Sequence, residues 1–196
     1  VPSSGGSSGG GSSSPVTVSD DPSDSQTGGA RTITNNGSTS GSAAIVQDTG
    51  NNGNVVTATL PPSVSITSSG PATAQSGTDA VTTLVNAIDG RNSTSEIDLI
   101  GGAQTFLNNL AATTTLDVRT IVPTTTSASV SEPVVISGTS SGGSQSEAFV
   151  IDMRSLPAGS TLQLDNIEFA SVMGQATVNG GAGQNYVVAD DAQQFI

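Results

Sequence analysis

The chain offers few side chains that could do chemistry. It holds no Cys, no His and no Lys, which removes most nucleophile–base pairs, zinc sites and Schiff-base mechanisms. Carboxylate chemistry remains, with 16 Asp and Glu against four basic residues, all Arg: Arg31, Arg91, Arg119 and Arg154. Two carboxylates facing one another can cleave a glycosidic bond, and carboxylates crowded into a turn can hold calcium. The densest group is Asp20, Asp21 and Asp24 around Pro22 in "SDDPSD"; a Pro-centred acidic turn accounts for it. The residues read as non-catalytic.

Composition bounds the rest. Net charge is -12, so a phosphate backbone would be repelled and nucleic acid is excluded as a partner. Anionic membranes are disfavoured for the same reason. No apolar run approaches the roughly 20 residues of a membrane helix, which predicts no membrane span. Aromatics are only 3%, with no Trp, so any core must be built from Val, Ile, Leu and Ala in flat layers. The absence of Cys is compatible with an exported bacterial protein that does not use disulfides.

The elements follow from local pattern. Residues 1–14, "VPSSGGSSGGGSSS", form a Gly/Ser segment that is a flexible linker by itself. Residues 15–76 read as a β-rich region of short strands: "PVTV", "ARTIT", "SAAIVQ", "NVVTATL" and "SVSIT", with Asn36-Gly37 and Asn52-Gly53 as hairpin turn signals. Residues 77–112 read as a helical hairpin. In its first helix Val81, Leu84, Val85 and Ile88 share a face, Thr78 is the expected N-cap and Gly90 the left-handed stop. In its second, Ser93 and Glu96 fit a capping box, Ile100, Ala103, Leu107 and Leu110 share a face, and Gly101-Gly102 predicts a kink or break. Residues 113–196 return to strands, "TTLDVRTIVP", "PVVISG", "EAFVIDM" and "STLQLDN". Arg119 and Arg154 are expected to make ordinary surface pairs with Asp117 and Asp152. The Thr runs Thr113–Thr115 and Thr124–Thr126 carry no regular T-x-T ladder, which speaks against a flat ice- or glycan-facing array.

Phe169, Val178, Val187 and Ile196 recur every nine residues. A fixed period of apolar positions is what a β-solenoid or β-roll requires, each repeat supplying a strand and a turn that stack on those before. These four are the expected solenoid core. The fold expected is therefore mainly β: a short-stranded β-domain leading into a β-solenoid or β-roll, with a small helical hairpin inserted.

"GGAGQNYVV", Gly180 to Val188, resembles the glycine-rich nonapeptide G-G-x-G-x-D-x-U-x of the calcium-binding RTX repeats. Gly180, Gly181, Gly183 and Val187 match, and Asn185 stands where the ligand Asp would be. "IDMRSLPAGSTLQLDNIEFASVMGQATVNGGAG" and "AAIVQDTGNNGNVVTATLPPSVSITSSGPATAQSG" are similar to segments upstream of such repeats in large exported proteobacterial surface proteins. The resemblance implies export to the cell surface or medium and a calcium-rich exterior, with Asp190 and Asp191 as the charged candidates near the turn Gly180, Gly181, Gly183, Asn185; the neutral Asn185, and Gln194 nine residues later, favour an uncalcified solenoid cap over a calcium site. A chain that starts at Val1 and stops within a repeat at Ile196 implies further repeats beyond it.

The function expected is structural: an exported protein that self-assembles into an extracellular filament, sheath or surface layer, as a homo-oligomer joined through β-edges or the N-terminal strand. The competing readings are an adhesin or binding module, and a non-catalytic spacer of a larger secreted protein.

Overall fold

The computed structural model describes residues 15–21, 29–46, 56–71, 73–91, 93–138, 145–190 and 194–195. The Gly/Ser head, most of the acidic turn after Asp21, Asn52-Gly53, Asp191 and Ile196 lie outside these residues. Among the described residues no helix is long and apolar enough to cross a membrane.

The first third is antiparallel and already divided between two sheets. Strands β1 (Val16–Asp20), β2 (Gly29–Asn35) and β5 (Val64–Gly70) pair in one sheet, and β3 (Gly41–Val46) with β4 (Val56–Leu60) in the other. "PVTV" is thus paired within its own chain, on β2. The expected Asn36-Gly37 hairpin turn is instead a corner where the chain changes sheets. The fully buried Asn35 fixes that corner: its Nδ2 donates to Thr39 O (2.9 Å) and Leu60 O (2.8 Å), and its Oδ1 accepts from Gly37 N (2.9 Å). A buried amide with its hydrogen bonds made holds a bend more firmly than turn propensity alone. The return corner is Pro61-Pro62-Ser63, where Ser63 takes φ 65°.

A two-residue strand, β6 (Gln75–Ser76), leads into the helical hairpin α1 (Gly77–Asp89) and α2 (Glu96–Asn108). The hairpin stands where the sequence puts it, but its details differ. Ser76 is the N-cap of α1, not Thr78, and Gly90 is right-handed at φ -62°. Ser95 is the N-cap of α2, and Ser93 Oγ accepts from Ser95 N (3.2 Å) instead of forming a capping box with Glu96. The buried stripes are Ala80, Leu84, Ile88 and Leu99, Ala103, Phe106. α2 runs unbroken through Gly101-Gly102 because a neighbour needs the space: a Cβ on Gly102 would lie 2.8 Å from Val188 Cγ1 and 3.1 Å from its Cβ.

From there on the strands alternate between the two sheets. β7 (Thr115–Thr125), β9 (Gln145–Asp152), β11 (Phe169–Met173) and β13 (Tyr186–Ala189) join the first sheet. β8 (Val134–Ser137), β10 (Ser160–Asp165), β12 (Ala176–Gly180) and β14 (Gln194–Phe195) join the second. Each of these strands from β9 onward pairs in parallel with the strand two places before it. The antiparallel part abuts this ladder at β5–β7 and β4–β8. The sheet orders are therefore β1-β2-β5-β7-β9-β11-β13 and β14-β12-β10-β8-β4-β3.

Two cores result. One fills the space between the sheets, from Val16 and Ile45 at the antiparallel end through Ile66, Ile136 and Phe149 to Leu162 and Val178. The other lies under the hairpin, where Leu84, Leu99 and Phe106 cover Leu116, Val150, Phe169 and Met173 on the outer face of the first sheet. Strands β9 and β11 of that sheet are buried on both faces, which is the usual condition of parallel strands. Asp117 and Arg119 lie on the inter-sheet side of β7, with Ile121, and are buried, with Glu147 beside Asp117 in register. They are not the surface pair expected, because the hairpin makes the Leu116/Val118 face internal as well.

Candidate functional site: stacked turns and the outermost strands of the ladder

The turn Gly180–Asn185 joins β12 to β13 and lies on the earlier turn Asp165–Glu168, which joins β10 to β11. The contact is a set of hydrogen bonds between successive turns: Gly181 N to Leu164 O (2.9 Å), Asn166 N to Ala182 O (2.8 Å), and Gly138 N to Asp165 O (2.8 Å) one turn further back. Side chains close it. Asp165 Oδ1 accepts from Ala182 N (2.8 Å), and Asn185 Oδ1 accepts from Ile167 N (2.8 Å). Gly183 sits at φ 81°, in the left-handed region, and a Cβ on Gly181 would overlap the Asp165 carboxylate. Of the matched glycines, these two are the ones the stacking demands.

The same geometry bears on calcium. Asn185 uses its oxygen on the preceding turn and donates its amide to Ala182 O (3.3 Å). Asp190 lies past the other end of β13 and accepts from Gly174 N through Oδ2 (2.9 Å). A whole strand separates the two, and among the described residues no three acidic side chains converge on one point. Calcium wants six to eight oxygens, several of them charged; Asn185 and Asp190 do not meet on one such site, and Asp191 lies outside the described residues.

Of the four predicted core residues, Ile196 lies outside the described residues and the other three fall in different places. Val178 is buried between the sheets, and Val187 packs partly buried against the same core. Phe169 is fully buried but on the opposite face, stacked on Phe106 of α2 (centroids 4.9 Å) with Tyr186 at 5.9 Å. The partner of Val187 in the ladder is Ala170, and that of Phe169 is Tyr186. The rung is one residue shorter than two nine-residue units, and a slip of one residue turns a side chain to the other face.

At the opposite side of the ladder, Asp152 ends β9 with its side chain 4% exposed, between Arg91 (2.9 Å) and Arg154 (2.7 Å). Arg154 also donates to the Arg91 carbonyl (2.5 Å), so the cluster ties the end of α1 to the sheet. Burial alone would push the Asp152 carboxyl up; hydrogen bonds and charge from Arg154, then the charge of Arg91, outweigh it and hold the carboxyl below its usual value. Sequence reading found the Arg154 partner but not Arg91, which arrives from a different element. The Asp165-Asn166 turn was visible only as the end of a strand, although Asp-Asn is a turn signal.

Among the described residues the outermost strands are β13 and β14 at one end and β1 and β3 at the other. β13 (YVVA), β14 (QF) and β3 (GSAAIV) carry no charged residue and no Pro. No family model matches the chain, and neither curated proteins nor solved structures give a match.

Proposed function

We propose that the protein is an exported, non-catalytic structural element of the bacterial cell surface or its surroundings. Its C-terminal half is read as a two-sheet β-solenoid or β-roll, started by the antiparallel strands and braced by the hairpin. Copies join end to end, the β13/β14 end of one meeting the β1/β3 end of the next. The observation that supports this reading is the lack of charged residues on β13 and β14, the outermost described strands of a parallel ladder. Soluble proteins ordinarily guard such edges with Lys, Pro, bulges or covering loops. β3 carries a register shift between Ala44 and Val46, a device that weakens pairing, which favours β1 as the receiving strand. The turns are read as standing without calcium, in keeping with the use of Asn185 as a hydrogen-bonding bracket. Export, and kinship with proteins that carry RTX repeats, rest on the resemblance of Gly180 to Val188 and of the segments before it.

Sedimentation velocity with electron microscopy tests the proposal. The wild-type chain gives concentration-dependent linear oligomers, and Val18→Lys, which charges the receiving strand at a position 46% exposed, gives monomers. A wild-type chain that stays monomeric at every concentration contradicts it.

A further inference from the structure

Outside the ladder, one cleft has a uniform chemistry. It measures about 430 Å³ and is lined by Thr34, Asn35, Asn36, Ser63, Ser65, Thr124, Thr125 and Thr126, every one a hydroxyl or amide residue. Its floor is a row of hydroxyl residues set by register across four strands: Thr17 opposite Thr34, Thr34 opposite Ser65, Ser65 opposite Thr124. Ile33, Val64 and Ile66 point into the core between the sheets, so these alternate positions point outward, and neighbouring members of the row stand about 4.8 Å apart. The hairpin packs on β7, β9, β11 and β13 and leaves this row outside it. Sequence spacing missed the array because its regularity runs across strands, not along one.

The cleft is firmly built. Ser65 Oγ donates to Thr34 Oγ1 (2.9 Å), and Thr125 Oγ1 donates to Ser63 O (2.9 Å). Asn35 pins one wall through three hydrogen bonds to backbone groups. Ser63 holds a left-handed φ of 65°, which costs a non-glycine residue energy and marks a rigidly determined lip. β7 continues past Ile121, where its register with β9 ends, so Thr124 and Thr126 stand exposed on the opposite rim.

The lining decides the ligand class. Among the described residues that line it the cleft has no charged group to pair an ion and no aromatic or aliphatic side chain to serve as an apolar platform. It offers donors and acceptors at fixed spacing, on a protein whose net charge of -12 repels anions. We infer that this cleft binds a neutral saccharide, an oligosaccharide lying across the strands along the Thr17–Thr34–Ser65–Thr124 row. Its recognition is by hydrogen bonds alone, each contributing little net of the water bonds it replaces, so single-site affinity is weak. The site does not depend on self-association, since all its residues belong to one chain.

Amide-resolved NMR titration of the 196-residue Val18→Lys chain, kept monomeric, with cello-, chito-, malto- and mannohexaose tests this directly. At least one saccharide gives saturable shifts confined to residues 17, 34–36, 63–65 and 124–126. Thr124→Val, which removes one hydroxyl at constant shape, weakens that binding about tenfold with an unchanged melting temperature. The inference is overturned if all four saccharides leave these amides unmoved, if shifts gather elsewhere, or if Thr124→Val binds as the parent does. Reshaping of ice crystals without saccharide shifts also overturns it, assigning the face to ordered water. If the wild-type chain itself stays monomeric, so that the assembly reading fails, the same titration on it still gives these shifts, and the two readings fail separately.

Discussion

The side-chain oxygen of Asn185 lies 2.8 Å from the backbone nitrogen of Ile167, joining one turn of the ladder to the turn before it. A position that would carry a metal-binding carboxylate in a calcium repeat is here a neutral bracket. Asn185→Ala should cost about 1–2 kcal/mol, because it leaves the Ile167 N–H and the Ala182 carbonyl without this partner. Millimolar calcium should leave the wild-type melting temperature within about 1 °C, since a ligand stabilises only the state that binds it. Differential scanning calorimetry with and without calcium reads both.

The two neighbouring glycines of α2 should respond in opposite directions to the same change. A Cβ on Gly101 would meet no atom within 4 Å, whereas one on Gly102 would press into Val188. Gly101→Ala should stabilise by about 0.5–1 kcal/mol through helix propensity. Gly102→Ala should destabilise by about 1–3 kcal/mol, because overpacking against β13 outweighs the same propensity gain. Urea denaturation of the two variants checks the sign of each.

Acid should weaken the protein through Asp152. Its folded-state carboxyl is held below the usual value by Arg154 and Arg91, so the unfolded chain binds the proton more readily. The stabilisation is fully present above the unfolded value of about 3.9 and is lost as pH falls through the folded one. Asp152→Asn should lower stability at pH 7 by about 2 kcal/mol, discounted for the partial exposure of both guanidinium groups. It should also flatten the fall in stability below about pH 4. Denaturation midpoints from pH 7 to pH 2 compare the two proteins.

Much of the local structure was legible because it is written in local pattern. The i, i+3, i+4, i+7 spacing around Leu84 and Ile88 marks α1, and the Val- and Ile-rich runs mark the strands. Sheet membership was not legible, since Asn36-Gly37 looks the same whether it closes a hairpin or turns a corner; the long-range bonds of Asn35 decide. Of the residues on the nine-residue period, Val178 and Val187 face the inter-sheet core and Phe169 faces the hairpin. A repeat counted in sequence cannot see a rung shortened by one residue, nor a helix waiting on the outer face. Arg91 joined Asp152, and the Thr34–Ser65–Thr124 row formed, only through pairing of segments far apart in the chain.

Disulfide trapping tests end-to-end joining most directly, because the chain has no Cys of its own. Tyr186→Cys on β13 is combined with Thr17→Cys or Ser19→Cys, at exposed, outward positions of β1. Strands joined as one sheet bring such side chains within reach of a disulfide. Mild oxidation should then yield a series of dimers, trimers and larger multiples on a non-reducing gel, collapsing to monomer on reduction, while single-Cys variants stop at dimers. Monomers alone from both double variants, at concentrations where the chain is folded, would contradict the account.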